Sequence, residues 1–171
     1  MDPNLEIGYR SFEDFFEREY TTLVRALIPV AHSLDAAEEA AQDSMRRVFE
    51  RWPRVAQMDS PIGYAYVTGR NSVRRGLRRA ALRLIAGERQ REPRAADADD
   101  PARLVGARDQ LLKALSQLSS AERDALLLVT YLGLDVSEAA QTLKIKPASV
   151  RSRLHRARQS VRPFIEEEQD E

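Results

Sequence analysis

The run VSEAAQTLKIKPASVRSRLHRAR, residues 136–158, decides how the rest of the chain is read. Its pattern predicts a short helix over 136–143, a turn at 144–146 and a second helix opening near Pro147. In the second helix Val150, Leu154, Ala157 and Val161 recur at i, i+4, i+7 and i+11, a single apolar stripe. The other faces carry Arg151, Ser152, Arg153, His155, Arg156 and Arg158, and no acidic residue stands between Ala139 and Ile165. A helix that is only solvated usually interleaves acids with bases. One with a buried stripe and an uninterrupted cationic face suits the major groove of DNA, where phosphates attract it and forked guanidinium groups pair with guanine. Its N-terminus adds outward backbone N–H groups and a partial positive charge for a phosphate.

The composition of the 171-residue chain narrows the alternatives. Lys plus Arg equals Asp plus Glu at 27 each, so no global excess of charge announces a nucleic-acid partner. The charges are segregated instead: bases gather at residues 70–83 and 144–162, acids at 97–100 and 166–171. With Cys 0, disulfides, thiolate metal sites and cysteine nucleophiles are excluded. His32 and His155 are the only histidines and neither has a second ligand nearby, so neither a metal site nor a cofactor is expected. No apolar run approaches membrane-spanning length and the start MDPNLEIGYR has no secretory core, which predicts a cytoplasmic protein without membrane insertion.

Helix formers dominate and alternating β-branched runs are missing, so the fold class expected is all-α. Ser11 with Asp14, Asp35 with Glu38, Ser119 with Glu122 and Asp135 with Glu138 each place a capping side chain three residues before a carboxylate. Ser60-Pro61 is a further start signal. Buried stripes are expected from Phe12, Phe15, Phe16, Tyr20, Leu23 and Leu27, with a kink or end near Pro29. Further stripes come from Ala37, Ala41, Met45, Val48 and Trp52, and then from Ile62, Tyr66, Val73 and Leu77. The pattern stops over residues 87–101, GERQREPRAADADDP, and resumes with Leu104, Leu111, Leu112, Leu115 and Leu118. Two small helical modules therefore follow, residues 1–86 and 104–165, joined by a flexible linker at 87–103 and ending in an acidic tail at 166–171.

A second basic face lies in IGYAYVTGRNSVRRGLRR, residues 62–79. Arg70, Arg74 and Arg78 share a side at i, i+4 and i+8, Asn71, Arg75 and Arg79 lie beside them, and Tyr64 and Tyr66 stand upstream. Cations interleaved with aromatics suit melted DNA, whose unstacked bases need a π-face. The same spacing also fits tyrosines in a core and a merely solvated arginine face. The helix at 36–51 shows Glu38, Glu39, Gln42, Asp43, Arg46, Arg47 and Glu50 on its outer side, a mixed face with no glycine-rich loop or nucleophile to make it catalytic.

The order of these parts resembles the extracytoplasmic-function class of the bacterial sigma-70 family, the initiation subunits of RNA polymerase. DAAEEAAQDSMRRVFERW at 35–52 is similar to the family's core-binding helix, and SPIGYAYVTGRNSVRRGLRR at 60–79 to its promoter-melting segment. LSSAERDALLLVTYLGLDVSEAAQTLKIKPASVRSRLHRAR at 118–158 resembles its C-terminal helix-turn-helix module, with SVRSRLHRAR the most specific stretch. The resemblance implies a non-enzymatic sigma factor with region 2-like and region 4-like bundles. It assigns core-polymerase binding to Glu39, Gln42, Asp43 and Arg46. Tyr64, Arg70, Asn71, Arg74, Arg75 and Arg78 would hold the melted −10 element, and the loop at 54–60 would help capture its bases. Arg151, Ser152, Arg153, His155, Arg156 and Arg158 would read the −35 element. Its implied partners are the bacterial polymerase core, promoter DNA and an anti-sigma protein clamped between the modules, and the linker would thread toward the polymerase's active-site channel.

Some positions depart from the family pattern. Lys144 stands at a usual turn glycine, where a left-handed conformation would cost about 1–2 kcal/mol. Lys146 replaces a usual Ser cap and forfeits roughly 1 kcal/mol. Ala40, Ala41, Ala65 and Thr68 replace larger aliphatics, which predicts a loosely packed N-terminal module. An operator-binding regulator with an N-terminal oligomerisation or sensor module is the alternative reading. A DNA-cleaving enzyme is a third, and it lacks a carboxylate metal cluster on either basic face.

Overall fold

The computed structural model describes residues 8–87 and 105–166. Every element among them is helical: α1 (Phe12–Ala31), α2 (Leu34–Glu50), α3 (Trp52–Val55), α4 (Pro61–Ile85), α5 (Val105–Gln117), α6 (Ser120–Leu126), α7 (Val136–Leu143) and α8 (Pro147–Glu166). A π-helical turn, Leu127–Tyr131, continues α6. Apart from Gly87, the expected linker lies outside the described residues, as do Leu104 and the acidic tail beyond Glu166. The chain divides into two compact units, Met1–Arg75 and Gly76–Glu171, so the division falls inside α4.

In the first unit Ser11 starts α1 by accepting the Asp14 N–H at 3.3 Å. Phe15, Leu23 and Leu27 are fully buried, whereas Phe16 is exposed and stacks on Tyr20 with ring centroids 4.8 Å apart. Pro29 lies inside α1, which ends near it as expected, two residues on at Ala31. Proline costs a helix one hydrogen bond, and here the buried run Ala26–Ala31 outweighs that loss by packing on the core. His32, at φ 60°, then closes α1 with its N–H on the Ile28 carbonyl at 2.8 Å. The next cap is Ser33, whose hydroxyl accepts the Ala36 N–H at 3.2 Å, and Asp35, expected as the cap, falls in the first turn. The left-handed His32 makes Ser33 the first extended residue after it, and an extended backbone is what a cap needs.

Small residues bring α2 and α4 into close approach. The buried Ser44 hydroxyl donates to the Ala65 carbonyl at 2.6 Å, and a Cβ on Gly69 would lie 2.8 Å from Leu27 Cδ1 and 3.4 Å from the Ala40 carbonyl. Ala40, Ala41 and Ala65, expected to leave the module loosely packed, are buried. Along α4, Ile62, Tyr66 and Val73 are buried as the stripe predicts, but Leu77 is 53% exposed. Periodicity shows which side of a helix faces a core, not how far along the helix that core reaches.

The second unit is assembled from its caps. Ser119 with Glu122 and Asp135 with Glu138 form reciprocal capping boxes at the starts of α6 and α7. Arg123 donates to the Leu115 and Leu118 carbonyls at 2.9 and 3.1 Å, capping the end of α5. Ala114, Leu115 and Leu118 of α5 form one cluster with Ala157 and Val161 of α8, with Leu126 and Phe164 packed against it. Lys144 ends α7 in the left-handed conformation, at φ 57° and ψ 45°, and frees the chain to turn into α8.

Candidate nucleic-acid interface

The turn between α7 and α8 sets the orientation of α8. Lys144 donates to Gln141 at 3.1 Å and Ile145 to Ala140 at 3.0 Å, so two orphan carbonyls of α7 are satisfied inside three residues of turn. Val150, Leu154, Ala157 and Val161 are buried, from 0% to 7% exposed. The opposite side of α8 is then committed to solvent: Arg151, Ser152, His155, Arg156 and Arg158 are exposed and Arg153 is half-buried. The Lys146 carbonyl takes the Ser149 and Val150 N–H groups, so α8 closes its first turn without a side-chain cap from serine.

Arg156 is held across the unit. Its Nε donates to Glu122 Oε1 at 3.1 Å, while Glu122 Oε2 accepts the Ser119 hydroxyl at 2.8 Å and the Ser119 N–H at 3.1 Å. These Ser119 bonds, and after them the Arg156 charge, keep the Glu122 carboxyl below the usual carboxylate range. Glu122 thus caps α6 and steadies an arginine of α8. The capping role was legible from the Ser119 spacing; the second role was not, because Arg156 is 34 positions away.

On α4 the 100° step of a helix places Tyr64, Asn71, Arg74, Arg75 and Arg78 on the side away from Ile62, Tyr66, Gly69 and Val73. Arg74, Arg75 and Arg78 are exposed; Tyr64, Arg70 and Asn71 are half-buried. Arg70 Nη2 donates to Asn71 Oδ1 at 3.2 Å. The Tyr64 hydroxyl accepts from Arg51 Nη1 at 3.4 Å, a neighbour that the sequence reading did not single out. Tyr66, the other tyrosine of the segment, is fully buried and belongs to the core.

On α2, Glu39, Gln42 and Arg46 are exposed, and Arg46 bridges Asp43 at 3.0 Å and Glu50 at 2.7 Å. Asp43 is more enclosed. Its Oδ2 accepts the Ser72 hydroxyl at 2.9 Å and Arg47 Nη2 at 3.1 Å. Burial alone would raise the Asp43 carboxyl, but Ser72, Arg46 and Arg47 outweigh it and hold the group below its ordinary value. Arg47 could have been found from its i+4 spacing to Asp43. Ser72 could not, because it lies 29 positions away on another helix. Among the described residues no cluster of three or more His, Cys, Asp or Glu could hold a metal, and no helix is long and apolar enough to cross a membrane.

Comparison with known proteins bears on this arrangement. The family described as Sigma-70, region 4, matches residues 108–161, the stretch that holds most of α5 and the α7–turn–α8 unit. An uncharacterized protein of Rhizobium meliloti (strain 1021) is 33% identical over 150 residues, which cover 80% of this chain and 34% of that protein. The chain thus spans about a third of that relative's length. Among solved structures, the sigma factor RpoE in complex with the anti-sigma factor NepR from Bartonella quintana matches with a TM-score of 0.70 at 19% identity, covering 91% of this chain and 96% of that one. That likeness is one of fold.

Proposed function

We propose that the chain is a sigma-70-family initiation factor of the extracytoplasmic-function class, one that directs core RNA polymerase to promoters and helps open them, on the region 4 match over residues 108–161 and the shared fold. Residues 1–86 form the module that docks on core and captures the melted −10 element. Residues 104–165 form the module that reads the −35 element as duplex, and 87–103 link the two. Core is met by Glu39, Gln42, Asp43 and Arg46 on the outer side of α2. Unpaired bases and their phosphates are met by Tyr64, Arg70, Asn71, Arg74, Arg75 and Arg78. Arg151, Ser152, Arg153, His155, Arg156 and Arg158 enter the major groove.

The observation that carries this reading is α8 itself. Its buried stripe is locked against α5 and α6, and its arginines stand on the free side behind a three-residue turn. The chemistry of bond making stays with polymerase, so the factor needs no catalytic residue of its own. It works in the cytoplasm, beside polymerase, and an anti-sigma protein of the kind bound to the Bartonella factor is the expected restraint.

The test is transcription of fragmented genomic DNA by bacterial core polymerase with and without the chain, with RNA 5′ ends mapped. New starts that share two spaced upstream motifs are expected. No new starts, with the same core active under a control sigma factor, would replace this reading with an operator-binding regulator.

A further inference from the structure

The seam between α2 and α4 carries two kinds of contact. Its interior is smooth: alanines, Gly69 and the Ser44–Ala65 bond hold the helices close. Small side chains of this kind permit close approach but do little to set how α4 is rotated about its own axis. At the rim the Ser72 hydroxyl donates to Asp43 Oδ2 at 2.9 Å, a directional bond between side chains of the two helices.

Ser72 makes an unusual choice of partner. A serine or threonine inside a helix commonly bonds back to the carbonyl four residues earlier. Thr68, one turn before, does this, donating to the Tyr64 carbonyl at 2.8 Å. Ser72 donates across to another helix instead, to a carboxylate that Arg46 and Arg47 also hold. It is the residue next to Asn71, so whatever fixes the rotation of Ser72 fixes Asn71 and Arg75 with it. Asp43, in turn, lies beside Gln42 and three residues from Arg46. One carboxylate therefore joins the side of α2 proposed to meet core to the side chain adjoining those proposed to meet DNA.

Resting on the sigma-factor reading, we infer that the Asp43–Ser72 bond is a positioning contact that couples core docking on α2 to base capture on α4. Ser72 touches neither core nor base; it sets the angle at which Asn71 and its neighbours face the unpaired strand. Removing it leaves the docking face of α2 in place and turns α4 loose at the rim.

The test uses the full chain with core polymerase and a promoter carrying 2-aminopurine in the −10 element. Core affinity and base unstacking are read separately. Ser72→Ala is expected to bind core within about two-fold of the unsubstituted chain and to lower the opening rate about ten-fold, the scale of a lost hydrogen bond to a charged group. Ser72→Thr, which keeps the hydroxyl, restores opening. Measured at saturating core, Asp43→Ala slows opening as well, and adding Ser72→Ala to it costs nothing further. Unchanged opening in Ser72→Ala, a proportional loss of core binding and opening, failure of Ser72→Thr to restore, or additive effects in the double variant would each overturn the inference. An unsubstituted chain that neither binds core nor opens the promoter would instead overturn the sigma-factor reading beneath it.

Discussion

Lys144 holds φ 57° and ψ 45° although a side chain there meets steric resistance that glycine escapes. The position demands the left-handed conformation because two carbonyls of α7 must be satisfied before the chain can enter α8. Lys144→Gly removes the clash but adds freedom to the unfolded chain, and the balance should favour the variant by about 0.5–1 kcal/mol, read as a higher urea midpoint. The Asp135 cap is the opposite case. Its carboxylate accepts the Glu138 N–H at 2.8 Å and its own N–H reaches Glu138 Oε2 at 2.8 Å. Asp135→Ala should cost about 1 kcal/mol in the same measurement. Both features were visible in the sequence, because a cap and a turn are local and need only neighbours along the chain. The shift of the α2 cap from Asp35 to Ser33 marks the limit of such signals. Only Asp35 carried the spacing signal, and the left-handed His32 instead leaves Ser33 as the first extended residue, which takes the cap.

Between elements the decisive quantities are separation and charge. Gly69 faces Leu27 Cδ1 and the Ala40 carbonyl with no room for a side chain, so Gly69→Val should destabilise the chain by about 1–3 kcal/mol in thermal or urea unfolding. Asp43 and Glu122 both hold folded values below the ordinary carboxylate range. A carboxyl depressed in this way contributes stability at every pH above its unfolded value, about 4, and loses it as pH falls through the lower folded value. The urea midpoint should therefore stay level from about pH 7 to about pH 5 and drop below about pH 4, as the linkage requires. Ser119→Ala, which removes the largest cause of the Glu122 shift, should make that drop shallower. Helix faces were legible at this scale, since Phe15, Met45, Val48, Tyr66, Val150 and Leu154 are buried as their spacing predicts. The ends of those faces were not, and Leu77 and Phe16 stand exposed on stripes that otherwise hold.

Across the whole molecule equal numbers of acids and bases are sorted so that α4 and α8 each present arginines without a compensating acidic face. Arg153→Ala should lower −35-dependent initiation about ten-fold, the scale of one good base contact, while core affinity stays unchanged. Equal loss of both would contradict the proposed division of labour. The binding of promoter duplex should weaken with salt, and Arg158→Ala should reduce the slope of log K against log salt by about 0.9 if that arginine neutralises one phosphate.

The sequence by itself determined the helical class, the capping boxes and the stripe that turns α8 outward. Each of these is written in near neighbours or in a period of 3.6. Only the tertiary structure decided which charged side chains are held by a partner distant in the chain. Asp43 meets Ser72, Arg51 meets Tyr64, and Arg156 meets Glu122 across 29, 13 and 34 positions, respectively. The physical reason is that a hydrogen bond between helices depends on how they cross, which no spacing along a single helix specifies.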